Sequence, residues 1–343
     1  MSRRPRARKG QRKPPPTRDR RSLLIVGAAA LGVIIVGLAG VLLLPGPAAR
    51  SGNATEVVLA GGGGVQGLAD QLAGAGVIRS PLAFIIVAEA SGSAHRLKAG
   101  DYSFRSGASL LAVLAQVRQG RTVRHWVTIP EGFTSADAAA VLAHSPDLSG
   151  ETVVPPEGSL LPETYQTGFG ETRAHMLGRM QAARDALLAK LWGDRPGGLP
   201  YRSPEEAVIL ASIVEKETAL PDERPHIAAV FINRLRTGMR LESDPTVVYG
   251  LTGGTPLGHG LRVSELARKT PYNTYLVAGL PPTPIANPGR AALEAALDPA
   301  PSEDLYFVAD GTGGHVFSTT LAQHLKNVAR WRAVEHQVRG GGR

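Results

Sequence analysis

Leu23 to Leu44 is a run of 22 residues without a charged side chain, closed by Pro45-Gly46-Pro47. As a helix it extends roughly 33 Å, enough to cross a hydrocarbon core of about 30 Å. After it the pattern shortens. Ala207, Leu210, Ala211, Val214 and Thr218 fall on one stripe at helical spacing in Ser203-Pro-Glu-Glu-Ala-Val-Ile-Leu-Ala-Ser-Ile-Val-Glu-Lys-Glu-Thr218. Ser203 with Glu206 reads as a capping box, and Pro204 takes the first helical position, where its missing N–H costs nothing. The spacing therefore predicts a helix over Pro204–Thr218 with one face against a core.

Upstream, Val57–Leu59 reads as a strand, with helices over Val65–Leu72, after Ser80-Pro81 and over Leu110–Val117. Alternation in Lys98–Phe104 and in Val123–Ile129 predicts two further strands. Strand, two helices and strand within some 50 residues make a small α+β module. Helices are expected over Ser135–Ala143 and, longer, over Glu171–Trp192, with Glu163-Thr-Tyr165 in a loop. Beyond Thr218 the chain is dense in proline and turns, which excludes long regular helix or central strand.

Charge changes the picture in one place. Residues 1–21 hold ten Arg and Lys and one acid, Asp19; removing them from totals of 38 basic and 29 acidic residues leaves 28 of each. A basic flank before an apolar span places that end on the cytoplasmic side. The tail is thereby explained as a topology signal, and nucleic acid is not an expected partner. With no cysteine, thiol catalysis, disulfides and cysteine zinc sites are excluded.

Two carboxylates, Glu215 and Glu217, close the predicted central helix, where the macrodipole favours cations. They lie about 200° apart around the axis, so spacing leaves open which one is the half-buried acid. Aromatic residues mixed with Asn, Asp and Arg follow, as a polysaccharide groove requires, because sugars present apolar ring faces and many hydroxyls.

Six motifs then stand in one order: Ala211-Ser-Ile-Val-Glu-Lys-Glu-Thr218, Phe231-Ile-Asn-Arg-Leu-Arg236, Ser243-Asp-Pro-Thr-Val-Val-Tyr-Gly250, Pro271-Tyr-Asn-Thr-Tyr275, Gly279-Leu-Pro-Pro282 and Leu305-Tyr-Phe-Val308. With Lys98-Ala-Gly-Asp-Tyr102 and Leu161-Pro-Glu-Thr-Tyr165 in support, the chain resembles the YceG/MltG family of endolytic murein transglycosylases. The resemblance implies a LysM-like module at 57–123 and a catalytic domain at 124–335. Around them stand a basic cytoplasmic tail (1–22), a transmembrane helix (23–44), a linker (45–56) and a C-terminal tail (336–343). It maps the essential acid onto Glu217, the Glu directly before Thr. Asn233, Arg234, Asp244, Tyr249, Tyr272, Asn273 and Tyr275 are the candidates for positioning the glycan.

The implied protein is a single-pass inner-membrane enzyme with a periplasmic α+β ectodomain and no cofactor. It would cut the bond between N-acetylmuramic acid and N-acetylglucosamine in nascent strands, leave 1,6-anhydro ends and work beside peptidoglycan synthases. The sequence departs from the family pattern at Arg268-Lys269-Thr270, where an acid is common, and at Glu163, where Asp is common. Two rivals are weighed. A metal hydrolase would need ligands from His259, His315 and His324, but no His-Glu-x-x-His run is present and the nine-residue spacing of the last two fits no common ligand pair. A membrane-tethered glycan-binding scaffold, with Glu217 inert, is the alternative from another class.

Overall fold

The computed structural model describes residues 20–340, so the tail at 1–19 lies outside the described residues. The chain forms two compact units, Met1–Val123 and Arg124–Arg343. Helices and three separate two-stranded antiparallel sheets make the architecture α+β.

In the first unit, helix α1 covers Arg20–Leu43. The membrane span expected over Leu23–Leu44 coincides with it, but its side chains at 20–23, 34, 35, 38 and 41 lie outside the described residues. Among the described residues no helix is long and apolar enough to cross a membrane. Strand β1 (Ala54–Leu59) pairs antiparallel with β2 (Gly100–Arg105), and α2 (Gly64–Gly74), α3 (Pro81–Ala90) and α4 (Leu110–Gln119) pack around them. Ser80 and Ser109 cap α3 and α4 by accepting the N–H groups of Ala83 and Ala112, as small hydroxyl residues do at this position. Leu59, Leu72, Phe84, Tyr102, Val113 and Val117 are wholly buried. The expected linker is sewn to the module: Gly46 N–H donates to Gly107 O (3.1 Å) and Gly107 N–H to Pro47 O (3.0 Å). A Cβ at position 46 would collide with the Ala108 carbonyl, so only glycine permits this approach.

In the second unit β3 (His125–Thr128) pairs with β4 (Thr164–Thr167), so the segment expected as a loop at Glu163–Tyr165 enters a strand. Helices α5 (Ser135–His144) and α6 (Arg173–Asp194) follow, then α7 (Pro204–Glu217), α8 (Arg224–Arg236), α9 (Asp244–Thr252), the short α10 (Val263–Leu266) and α11 (Arg290–Leu297). A hairpin of β5 (Tyr306–Ala309) and β6 (His315–Ser318) precedes α12 (Leu321–Gly340), which carries helix into the residues expected as a tail from 336.

Helix α7 is the axis of this unit. Ser203 accepts the Glu206 N–H as the sequence predicts, but Glu206 takes the Arg202 N–H rather than that of Ser203, so the capping box itself does not close. It is not one-faced, however. Every residue from Ala207 to Val214 is buried, because α6, α8, α9 and α11 all pack against it. Ala207 and Ala211 share a core with Ala292 and Ala296, small side chains that let α11 lie close. The polar Ser212 is tolerated there by donating to Ile209 O (2.7 Å) and accepting from Ile285 N–H (3.0 Å).

Candidate active site

The two acids ending α7 have different surroundings. The Glu215 side chain is 4% exposed, and its oxygens accept from Arg224 (2.9 Å) and from the Gly289 N–H (2.9 Å). Arg224 also meets Glu131 at 3.5 Å, and Lys216 donates to Gly132 O (3.3 Å). Glu215 thus belongs to an ion-pair network that fastens the end of α7 to the Pro130–Gly132 turn and the start of α11. Removing a partner from such a pair strands the other charge.

Glu217 is partly buried and keeps no cationic partner in hydrogen-bonding contact among the described residues. The Ser243 hydroxyl donates to its Oε1. Burial pushes its carboxyl up to about 7, with the Asp244 charge adding to the rise and the Ser243 hydrogen bond, His315 and Arg234 opposing it. An acid poised near neutrality is populated in both forms, the condition for one group to give and later take a proton.

Ser243 reaches Glu217 through an unusual backbone. Glu242, just before it, has φ 51°, the only positive φ at a non-glycine position among the described residues. Such a conformation costs free energy in an L-residue and persists only where neighbours impose it. Here the Glu242 N–H donates to Thr274 O (3.3 Å) and the Ser243 N–H to Thr274 Oγ1 (2.9 Å), while Thr246 bonds the same hydroxyl (2.8 Å). The Thr274 segment therefore holds the serine against the acid.

Asp244 follows directly as the first residue of α9 and accepts from the Tyr275 hydroxyl (2.7 Å). Asp244 and Tyr249 line a cleft of about 390 Å³ together with Thr134, Lys216, Leu257 and His259. Tyr249 donates to Glu157 (3.1 Å), a carboxyl raised by burial, and meets the Tyr272 ring edge-on at 5.0 Å. A larger groove of about 790 Å³ lies in the first unit, lined by residues such as Val77, Ala83 and Leu110, and carries no acid.

The remaining sequence candidates point inward. The Asn233 amide donates to the carbonyls of Ser302 (2.8 Å) and Asp304 (3.1 Å), and the buried Asn273 amide to those of Leu266 and Arg268 (2.8 Å each). The Arg234 guanidinium, also buried, donates to Leu305 O (2.7 Å) and Leu241 O (2.8 Å). These three shape the loops around the acid, and Arg234 adds its field. The structure thus brings Asp244 and Tyr249 to the cleft, backs them with Tyr275 and Tyr272, and spends Asn233, Arg234 and Asn273 on the surrounding loops.

Sequence reasoning did not single out Ser243, Thr274 or Glu223. Ser243 and Thr274 stand inside quoted motifs, but nothing in spacing shows that residues 31 apart meet. Of the histidines, His259 lies 3.6 Å from Glu265, His315 2.7 Å from Glu223, and His324 stacks on Tyr306 at 5.1 Å. Among the described residues no three His, Asp or Glu side chains gather as a metal site would require. At the two departures, Glu163 accepts from Arg290 (3.4 Å) on the surface, and Arg268 contributes its carbonyl to Asn273.

Comparison with known proteins adds the context of this geometry. The endolytic murein transglycosylase of Bacillus subtilis (strain 168) is 29% identical over 318 residues, 80% of this chain and 84% of that protein. The endolytic murein transglycosylase of Streptococcus pneumoniae serotype 2 (strain D39) is 30% identical over 330 residues, which are 82% of this chain but only 59% of the pneumococcal protein. A crystal structure of a yceG-like protein, lmo1499 of Listeria monocytogenes, superposes with a TM-score of 0.51 at 30% identity, covering 80% of this chain and 99% of that one. Residues 57–330 match the model of the YceG-like family, and the chain belongs to that family.

Proposed function

We propose that this chain is an endolytic murein transglycosylase, a lyase in which Glu217 alone serves as acid and then as base. The observation that carries the reading is the poised acid at the end of α7, held by Ser243 beside the cleft that Asp244 and Tyr249 line. Protonated Glu217 donates to the glycosidic oxygen between N-acetylmuramic acid and N-acetylglucosamine as the bond to C1 breaks. The muramoyl C6 hydroxyl attacks C1, and its proton passes to the Glu217 carboxylate, which regenerates the starting acid. The new end is a 1,6-anhydro sugar and no water is consumed.

A hydrolytic glycosidase employs two carboxylates, one of which is a nucleophile or activates water. Here the substrate's own hydroxyl fills that place. Asp244, oriented by Tyr275, supplies negative charge where C1 turns positive. Asn233, Arg234 and Asn273 position the groove's loops, and Tyr272 and Tyr249 offer ring faces for the sugar.

The apolar helix α1 and the basic residues before it support a single membrane anchor with its N-terminus in the cytoplasm and the chain beyond residue 44 outside. In the first unit, the β1–α2–α3–β2 order, with the strands paired antiparallel, supports a LysM-like glycan-binding role. An enzyme so tethered meets strands as they emerge from the synthases that make them. Digestion of uncrosslinked peptidoglycan by the purified full chain tests the reaction: released fragments should carry 1,6-anhydro ends, and bound but uncut glycan would replace the enzyme with a scaffold.

A further inference from the structure

The hairpin β5–β6 has no part in the reaction as described, yet its first β6 residue lies beside the acid. His315 makes two bonds to one carboxylate: its N–H donates to Glu223 Oε1 (2.8 Å) and its Nδ1 meets Glu223 Oε2 (2.7 Å). Glu223 Oε2 accepts a third bond, from the Thr218 hydroxyl (3.3 Å), and Thr218 is the buried residue that directly follows Glu217. One side chain thus ties the residue after the acid, the hairpin backbone and an imidazole. The approach is close enough that a Cβ at Gly314 would lie 2.8 Å from Glu223 Oε1, so a side chain there would displace that carboxylate.

The arrangement also sets chemistry. Against the desolvation that would raise it, the bonds from His315 hold Glu223 below the usual carboxylate range, so it is an acceptor only. Nδ1 must therefore carry the proton, and among the described residues Nε2 makes no hydrogen bond. The ring is fixed edge-on to Phe307 at 5.4 Å and is largely buried.

Resting on the reading of Glu217 as the acid, we propose that Glu223 and His315 form a positioning pair behind it. They fix the turn that follows Glu217 and hold a protonatable imidazole against it. The other charged or titratable groups facing Glu217 are Asp244 from α9, Arg234 from α8 and Tyr275 from the loop before Leu276; those facing His315 are Glu223 and, at the hairpin turn, Asp310. His315 combines a field on the acid with a bonded path, through Glu223 and the Thr218 hydroxyl, to the residue that follows it.

His315→Asn keeps an N–H donor near the Nδ1 position and removes the ring's capacity to carry charge. In the detergent-solubilised full chain it should lower kcat about tenfold with KM unchanged. Since loss of a nearby cation raises a carboxyl pKa, the alkaline limb of the kcat profile should move to higher pH. A purely structural pair would lower the melting temperature and leave the limb where it is, which would overturn the proposal. Should His315→Asn not fold, His315→Gln, whose amide reaches toward the Nε2 position instead, still removes the imidazole and should move the limb the same way. An NMR titration of the labelled Glu217 carboxyl, run without substrate, should show the same upward movement. It keeps the two ideas apart: wild-type protein that releases no anhydro ends overturns the reaction, whereas an unmoved Glu217 titration overturns the pair.

Discussion

Glu215 and Glu217 are two residues apart, carry the same carboxyl group and stand in opposite surroundings. Glu215 is closed by Arg224 and the Gly289 N–H, and Glu217 by a serine hydroxyl beside a cleft. Glu215→Gln should cost about 3 kcal/mol of stability in a denaturant titration, because it leaves Arg224 buried with only the more distant Glu131. The fraction that stays folded should retain its activity. Glu217→Gln should do the reverse. A carboxyl whose folded value is about 7 and whose ordinary value is 4.5 ionises first in the unfolded chain. Stability is then full below about 4.5 and is lost as pH rises through about 7, by an amount on the order of 3 kcal/mol. The wild type should therefore melt lower at pH 8 than at pH 5 relative to Glu217→Gln, and equal pH slopes would show that Glu217 is not a raised acid. Ser243→Ala removes a hydrogen bond that favours the carboxylate, so the alkaline limb of the pH–rate profile should move up and kcat should fall about tenfold.

At the scale of elements, what was legible follows from what is local. Ser203, Pro204 and Glu206 announce the start of α7 within four residues, and the start is found there. Its burial on all sides was not legible, because it depends on α6, α8, α9 and α11 arriving from elsewhere in the chain. Glu163–Tyr165 reads as a loop on its own and enters a strand only because β3 offers a partner. The expectation that the chain beyond Thr218 holds no long helix fails at α8 and α12, 13 and 20 residues long, because the prolines stand at element ends: Pro225 and Pro245 lie in the first turns of α8 and α9, where proline is tolerated. Candidate residues divide along the same line. The acid itself stood out by its place at a helix end and by its motif. Ser243 did not, since its approach to Glu217 requires Glu242 at φ 51° and Thr274 opposite. Gly254 gives an element-scale test of the cleft wall. It has φ 98° and a Cβ there would collide with Thr134, so Gly254→Ala should raise KM with little change in kcat, measured on glycan strands.

For the whole molecule, the 22-residue apolar run and the balanced charge beyond residue 21 argue for a short tail, an anchor and a glycan-facing remainder; the first compact unit includes the apolar run and the second follows it in sequence. The chemistry assigned to the second unit needs a carboxyl group and the substrate's own hydroxyl, so chelator treatment should leave the rate unchanged. The central claim is that this hydroxyl replaces water. The most direct test is to digest uncrosslinked strands with the purified full chain in heavy-oxygen water, beside Glu217→Gln, and to weigh the new ends. Ends one water lighter than a reducing sugar, free of heavy oxygen and made only by the unaltered protein, are the predicted result. Reducing ends carrying the heavy oxygen would contradict it and would require a second carboxylate at the cleft to activate water.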